Sequence, residues 1–342
     1  MDERFASLPG RLLPWYAAHH RDLPWRRDRE PYHVWLSEIM LQQTRVEAVK
    51  SYYTRFLQAL PDISSLAAAD DDQLHKLWEG LGYYTRVRNL KRAAQVILSE
   101  YDGVFPSTHA QILQLPGIGA YTAGAIASIC FGQPTPAVDG NVLRVTTRLT
   151  ANDAPIDTPA VKKEITQSLA AIYPADACGD FTQSLMELGA TICAPNGAPD
   201  CLNCPLQDLC AAHLSSRETA YPVKSVKRPR RIENRTVFLL RCADTVALHR
   251  RPAKGLLAGL WELPNCSEHL TAQQALETAS AFDVHPLELV KSVDHTHIFT
   301  HIEWHMRCFE IRCQAASSRF VWVASDALAS QYALPTAFRI FL

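Results

Sequence analysis

Two carboxylates, four cysteines and a glycine turn are the features of this chain whose settings suit chemistry. Glu38 stands in Val34-Trp35-Leu36-Ser37-Glu38-Ile39-Met40-Leu41-Gln42-Gln43-Thr44. Helical spacing puts it beside Val34, Trp35, Leu41 and Gln42. Burial there would raise its pKa and keep a proton available, as a general acid needs; on the polar edge of the helix it would be an ordinary surface acid. Asp139 lies in Pro136-Ala137-Val138-Asp139-Gly140-Asn141-Val142. The flanking proline and glycine place it on a turn entering a helix, where a carboxylate is either an N-cap or a charge presented to a site. Cys193, Cys201, Cys204 and Cys210 follow a C-x7-C-x2-C-x5-C spacing. Four thiolates this close suit an iron–sulfur cluster or a structural zinc ion, although zinc sites usually pair two short hooks and only one is present. The remaining cysteines are scattered in mostly apolar settings and read as small core residues.

Two further stretches suit nucleic acid. Leu115-Pro-Gly-Ile-Gly-Ala-Tyr-Thr-Ala-Gly-Ala-Ile126 reads as helix, glycine turn, helix. Pro116 ends the first helix, and Gly117 and Gly119 permit positive φ and a close backbone approach. The amides opening the second helix form a phosphate-sized anion site, or the stretch is a plain turn between core helices. Trp78-Glu-Gly-Leu-Gly-Tyr-Tyr-Thr-Arg-Val-Arg-Asn89 interleaves aromatics with cations. Such tracts stack on bases and hold phosphates, or form turns with core tyrosines.

The elements that must position these residues fall into two parts. Residues 1–215 read as helices joined by short turns, with helical patterns at Leu12–His20, Tyr32–Arg45, Phe56–Leu60, Asp71–Leu77, Arg86–Tyr101, Tyr121–Cys130, Asn141–Leu149, Pro159–Ile172 and Phe181–Cys193. Residues 216–233 read as a basic linker, with Lys224, Lys227, Arg228, Arg230 and Arg231 near Pro222 and Pro229. That charge either touches phosphate or is solvated. Residues 234–342 read as α+β. Strands are expected at Thr236–Arg241, Thr245–His249 and His301–Cys308, and helices at Thr271–Ser280 and Ser325–Tyr332. Ile302, Trp304, Met306 and Cys308 share one face, whereas Phe309, Ile311 and Cys313 take the other, which suggests a bulge.

Bulk properties narrow the classes. At 342 residues, two domains are the natural expectation. A formal net charge of −1 argues against global attraction to nucleic acid and leaves room only for a local basic face. No apolar run approaches a membrane span, and Met-Asp-Glu-Arg-Phe is no signal peptide. Ten cysteines without an export signal lead us to expect a cytoplasmic protein whose thiols are free or bind metal.

Taken together, Asp22–Arg26, Ser37–Thr44, Trp78–Leu90, Leu115–Ala125, Val138–Val142 and the four-cysteine loop resemble the helix–hairpin–helix DNA glycosylases, and within them the adenine DNA glycosylases of the MutY family. The resemblance implies an all-α helix–hairpin–helix domain with an iron–sulfur cluster loop, followed by an α+β Nudix-like domain. It implies a monofunctional enzyme of base excision repair that hydrolyses the N-glycosidic bond of adenine opposite 8-oxoguanine or guanine in double-stranded DNA. The base must leave the stack and enter a pocket. On this resemblance Glu38 protonates the adenine, Asp139 stabilises the oxocarbenium-like sugar, and Tyr121 and Asn141 support the second carboxylate. The two acids then need opposite protonation states. Bifunctional relatives carry a Schiff-base lysine at the position of Tyr121.

The same resemblance implies a [4Fe-4S] cluster on Cys193, Cys201, Cys204 and Cys210. It assigns Gln43, Tyr83, Arg86, Gly117 and Gly119 to DNA, Trp25, Arg26 and Gln183 to the adenine pocket, and Phe299, Thr300 and His301 to 8-oxoguanine recognition, with threonine where serine is commoner. A monomer is expected. Gly259-Leu-Trp-Glu-Leu-Pro264 carries the Nudix-like signal, but only Glu268 and Glu277 follow before Phe282, so this domain is expected to recognise rather than hydrolyse. The chain departs from the family in its seven-residue first cysteine gap, where six is usual, and in an Ala194–Asp200 loop without Lys or Arg. The rival readings are a thymine–guanine mismatch glycosylase and a non-enzymatic DNA-binding protein. A zinc deaminase, suggested by His301-Ile302-Glu303, fails on motif order.

Overall fold

The computed structural model describes residues 2–226 and 229–342. The chain divides into two compact units, Met1–Ala68 with Arg88–Val226, and Ala69–Val87 with Lys227–Leu342. The helices, in chain order, are α1 Leu8–His19, α2 Pro31–Leu41, α3 Val46–Ala59, α4 Ile63–Ala68, α5 Asp71–Leu77, α6 Thr85–Glu100, α7 His109–Ile112, α8 Ala120–Phe131, α9 Gly140–Thr150, α10 Pro159–Ala170, α11 Cys178–Thr191 and α12 Ala211–Leu214. The boundary between units crosses the first turn of α6.

In the first unit, α8 is buried on every side from Thr122 to Ile129, as its uniformly small and apolar sequence requires. One core joins Leu8 and Leu12 of α1, Val142, Val145 and Leu149 of α9, and Phe181, Leu185 and Leu188 of α11. Helix α9 lies close against α11 because residue 189 is glycine: a Cβ there would meet the Cβ of Asn141 at 2.5 Å. That approach fixes where Asn141 sits.

The second unit holds a mixed sheet ordered β3-β2-β1-β6-β5, with β4 and β7 pairing on β1 and β2. Its strands are β1 Arg231–Cys242, β2 Thr245–Arg250, β3 Trp261–Glu262, β4 Asn265–Cys266, β5 Pro286–Ile298, β6 Ile302–Cys313 and β7 Val321–Ala324. Its C-terminal part also carries α13 Ala272–Ser280, α14 Ser325–Gln331 and α15 Thr336–Arg339. The bulge expected at Cys308–Phe309 is not present. β6 pairs with β1 in unbroken parallel register from Arg231↔Ile302 to Arg241↔Arg312. Both of its faces are covered: Trp304, Met306 and Cys308 enter one core, Phe309, Ile311 and Cys313 the other. A central strand buried twice carries apolar residues in both phases. The register shifts lie instead at Pro286/Glu288 and Leu289/Lys291, between β5 and β6.

The stretch read as a basic linker is held at both ends. Tyr221 is buried, the Ile156 amide donates to the Val223 carbonyl at 2.9 Å, and the Ser225 amide donates to Asp157 at 3.0 Å. β1 already begins at Arg231. Lys227 and Arg228 lie outside the described residues. Within the second unit, α5 is tied to the C-terminal part through Trp261 Nε1 and Asp72 (3.2 Å), and the turn after α5 through the Leu334 amide and Glu79 (3.0 Å).

Candidate active site

Helix α2 is buried from Val34 to Met40, and Glu38 is buried with it, 6% exposed. Desolvation pushes its carboxyl up to about 7; the nearby Asp139 charge adds to this, while a hydrogen bond from Tyr121 and the charge of Arg26 oppose it. Asp139 is the N-cap of α9, accepting from the Val142 amide at 2.8 Å. Its other oxygen accepts from Asn141 Nδ2 at 2.7 Å. It is therefore both a cap and a carboxylate presented to a cavity. Burial raises its pKa too, opposed by those donors and by Arg144.

The two acids, with Trp25, Arg26, Gln43, Tyr121, Asn141 and Gln183, line one cavity of about 450 Å3. Every residue assigned above to catalysis and to the adenine pocket thus meets in a single place. Tyr121, in the first turn of α8, donates its hydroxyl to Glu38 Oε2, not to Asp139, and lies 3.3 Å from Met186 Sδ. Its pKa is raised by burial and by both carboxylates.

One member of the cavity escaped the sequence reading. The side chain of Glu187 on α11 is fully buried. It accepts from Arg21 Nε at 2.7 Å, Arg21 Nη2 at 2.8 Å and Arg26 Nη2 at 2.8 Å. Burial alone would raise its pKa, but these bonds outweigh it and hold the carboxylate at about 2. The pair locks Arg26 into the wall. Its partners lie 161 and 166 residues apart in the chain, and no local pattern announces such a contact.

Helix α9 continues from Asp139 towards the cysteines. Arg144 donates to Asn141 Oδ1 at 2.8 Å, to the Gly189 carbonyl at 2.6 Å and to the Cys193 carbonyl at 2.8 Å. One turn on, Arg148 donates to Cys193 Sγ at 3.2 Å and to the carbonyls of Ala194 and Tyr221 at 3.0 Å. All four cysteines are free thiols; burial pushes the Cys204 thiol up to about 12, and the neighbouring Cys193, Cys210 and Cys201 add to the rise. Among the described residues, the trio Cys201, His213 and Glu218 is the only one whose ligand atoms all lie within 4.8 Å of one another. The four sulfurs are thus spread more widely than the ligands of one ion.

The residues assigned to DNA divide in their behaviour. Gly117 adopts φ 77°, and a Cβ there would strike Asn89. Gly119 is extended and is the N-cap of α8 without a side-chain cap; a Cβ there would meet nothing within 4 Å, so its smallness leaves room outside the fold. Gln43 and Tyr83 both hold positive φ, 59° and 47°, which costs energy in residues other than glycine. Arg86 is half-buried. Its guanidinium donates to the Leu81 and Gly82 carbonyls and stacks on Trp78 and Tyr83, so it braces the loop that carries Tyr83. Desolvation lowers its pKa to about 10. Phe299, Thr300 and His301 form the turn between β5 and β6, closed by the Phe299 amide on the Ile302 carbonyl at 2.8 Å. Phe299 packs on His297 and Trp304, and Thr300 Oγ1 lies 2.9 Å from Tyr83 Oη within the second unit.

This helical frame and its paired acids define a base excision repair glycosylase, and residues 36–171 match the family of HhH-GPD superfamily base excision DNA repair proteins. Residues 236–342 match the NUDIX domain. The chain is 37% identical to the adenine DNA glycosylase of Rattus norvegicus, over 85% of this chain and 68% of that protein, and 37% identical to that of Homo sapiens, over 76% and 57%. A thermostable thymine-DNA glycosylase superposes with a TM-score of 0.56 at 28% identity, over 63% of this chain and 98% of that one; an endonuclease III trapped on DNA shares the fold at 0.52 and 24%, over 61% and 94%. The chain belongs to the adenine DNA glycosylase family. No helix among the described residues is long and apolar enough to cross a membrane.

The α9 network yields a direct test. Arg144→Gln would strip donors from buried acceptors on Asn141, Gly189 and Cys193. Leaving such groups unsatisfied is expected to lower stability by about 3 kcal/mol, read as a fall in melting temperature, and to slow excision as Asn141 loses its fixed orientation.

Proposed function

We propose that this protein is a monofunctional DNA glycosylase that removes adenine mispaired with 8-oxoguanine or guanine. The observation that carries this reading is the meeting of Glu38 and Asp139 in one cavity with Tyr121 between α2 and the base pocket. Glu38, whose proton burial retains up to about pH 7, donates that proton to N7 of the extruded adenine. The C1′–N9 bond breaks with its electrons going to the base, and the sugar gains oxocarbenium character opposite the Asp139 carboxylate. Water then adds at C1′ and its proton goes to solvent, from which Glu38 is reprotonated, leaving adenine and an abasic site. Tyr121 supplies no amine, so no Schiff base forms.

Thr300 offers a hydroxyl to the opposing lesion, and its contact with Tyr83 supports a joint role for the two. The Nudix-like unit recognises and does not hydrolyse: α13 carries a single acid, Glu277, which accepts from Gln273. Cys193, Cys201, Cys204 and Cys210 would hold a [4Fe-4S] cluster, whose part here is structural, ordering the loop that Arg144 and Arg148 grip. Hydrolysis needs no electron transfer. We read the protein as acting as a monomer.

The test is adenine release from duplexes carrying A opposite 8-oxoguanine, A opposite G and T opposite G, with borohydride trapping in parallel. Release from the first two without trapping is expected. Release from the T duplex alone would replace this function with the thymine reading, and efficient trapping would remove the monofunctional claim. Iron analysis with visible absorbance checks the cluster; stoichiometric zinc would overturn it.

A further inference from the structure

A second cavity of about 340 Å3 lies in the first unit behind the wall of the active site. The two cavities share three lining residues, Trp25, Arg26 and Gln183. Helix α11 forms the floor of both. Asp180 lines the second cavity, Gln183 lines both, and Glu187 and Ala190 line the first. Steps of three and four residues put these on one helix face. The 3-10 turn Pro24–Arg26 supplies Trp25 and Arg26, which with Gln183 form the partition between the two cavities.

The partition is unevenly fastened. Trp25 is 6% exposed and packs edge-on against Tyr53. Arg26 is bonded to Glu187 and lies over the ring of Tyr16 at 5.6 Å. Gln183 differs: it is half-buried, and its side chain makes no hydrogen bond among the described residues. It is the member of the wall that can turn without breaking an interaction.

We propose that the second cavity is the exit for the freed purine, with Gln183 as its gate. This rests on the excision reading above. When the glycosidic bond has broken, the mouth of the active site is filled by the sugar–phosphate strand that delivered the base. The base then sits between the DNA and the partition. Movement of Gln183 joins the two spaces along the α11 face and lets adenine leave while abasic DNA is still bound. Tyr16 and Trp25 both line that route.

Two substitutions narrow the second cavity from opposite walls without touching the acids. Ala17→Trp acts from α1, and Ala177→Phe acts from the residue preceding α11. With duplex labelled in the target adenine, abasic sites are counted by alkaline cleavage, and free adenine is counted in the filtrate of a membrane that retains protein and DNA. Under single turnover both variants are expected to form abasic sites within about twofold of the wild-type rate. Adenine should reach the filtrate about tenfold more slowly, as for a gated product. Unchanged melting temperatures establish that the variants fold. Adenine appearing at the wild-type rate in both folded variants would overturn the exit. A matching fall in abasic-site formation would also overturn it, since the cavity would then serve the chemistry. Absence of abasic sites with the wild-type protein would strike the proposed function instead.

Discussion

Replacing Glu38 by glutamine is expected to slow adenine release by about 10³-fold, the scale of a lost general acid, while leaving duplex binding intact. The amide is isosteric and its carbonyl still accepts from Tyr121, but it has no proton to give. The wild-type rate should fall as pH rises through about 7, where Glu38 ionises, and the residual rate of E38Q should lack that limb. The same substitution is expected to stabilise the protein. Because the carboxyl is raised from 4.5 to about 7 by burial, the folded chain holds this proton over a range in which the unfolded chain has released it. Stability is therefore lost progressively between about pH 4.5 and pH 7, and the loss is complete above that range. The total is about 3 kcal/mol. E38Q carries no such penalty, so its melting temperature should exceed the wild type's at pH 8 and approach it at pH 4. An active E38Q would remove Glu38 from the mechanism, and an E38Q less stable than wild type at pH 8 would remove the buried-acid account.

The parts of this site that could be read from sequence are those with local signatures. Helix α2 is apolar nearly all round, a pattern that makes a buried Glu38 one of two readings, beside a surface acid on the polar edge. Asp139 sits where helix N-caps sit, and the cap geometry is what aims it. Four cysteines within eighteen positions need no tertiary information. Contacts between distant stretches were illegible for a matching reason. Glu187 looks like a charge on an amphipathic helix until Arg21 and Arg26 arrive from the segment and 3-10 turn that follow α1. β5 was missed because its side chains are mostly exposed; no alternation marks a strand held by backbone pairing to β6 rather than by a buried face. β6 misled in the opposite sense, through burial on both faces. The bonds of Arg86 to the Leu81 and Gly82 carbonyls, which brace the loop of Tyr83, likewise have no mark in the sequence. The positive φ of Gln43 and Tyr83 has no sequence signature, since neither is a residue that favours that region.

Asp139→Asn should lower excision by about 10³-fold as well, through a different loss. The neutral amide no longer balances the positive sugar, although the proton donor is intact. Folding should survive, because asparagine ranks with aspartate as an N-cap and retains an oxygen for the Val142 amide. The new amide would nevertheless face Asn141 Nδ2, which now donates to Asp139. Asn141 has no easy flip, since its oxygen is engaged by Arg144. That donor–donor meeting costs about 1–3 kcal/mol, offset in part by the end of carboxylate desolvation at this site. Asp139→Ala separates the two effects. It removes the cap, destabilising α9 by about 1 kcal/mol, and removes the charge, so its excision rate should match that of D139N. Single-turnover rates and melting curves of the pair make the comparison. If D139N excises within about tenfold of wild type, where a lost electrostatic partner predicts far more, Asp139 is a cap alone and the charge that meets the sugar lies elsewhere.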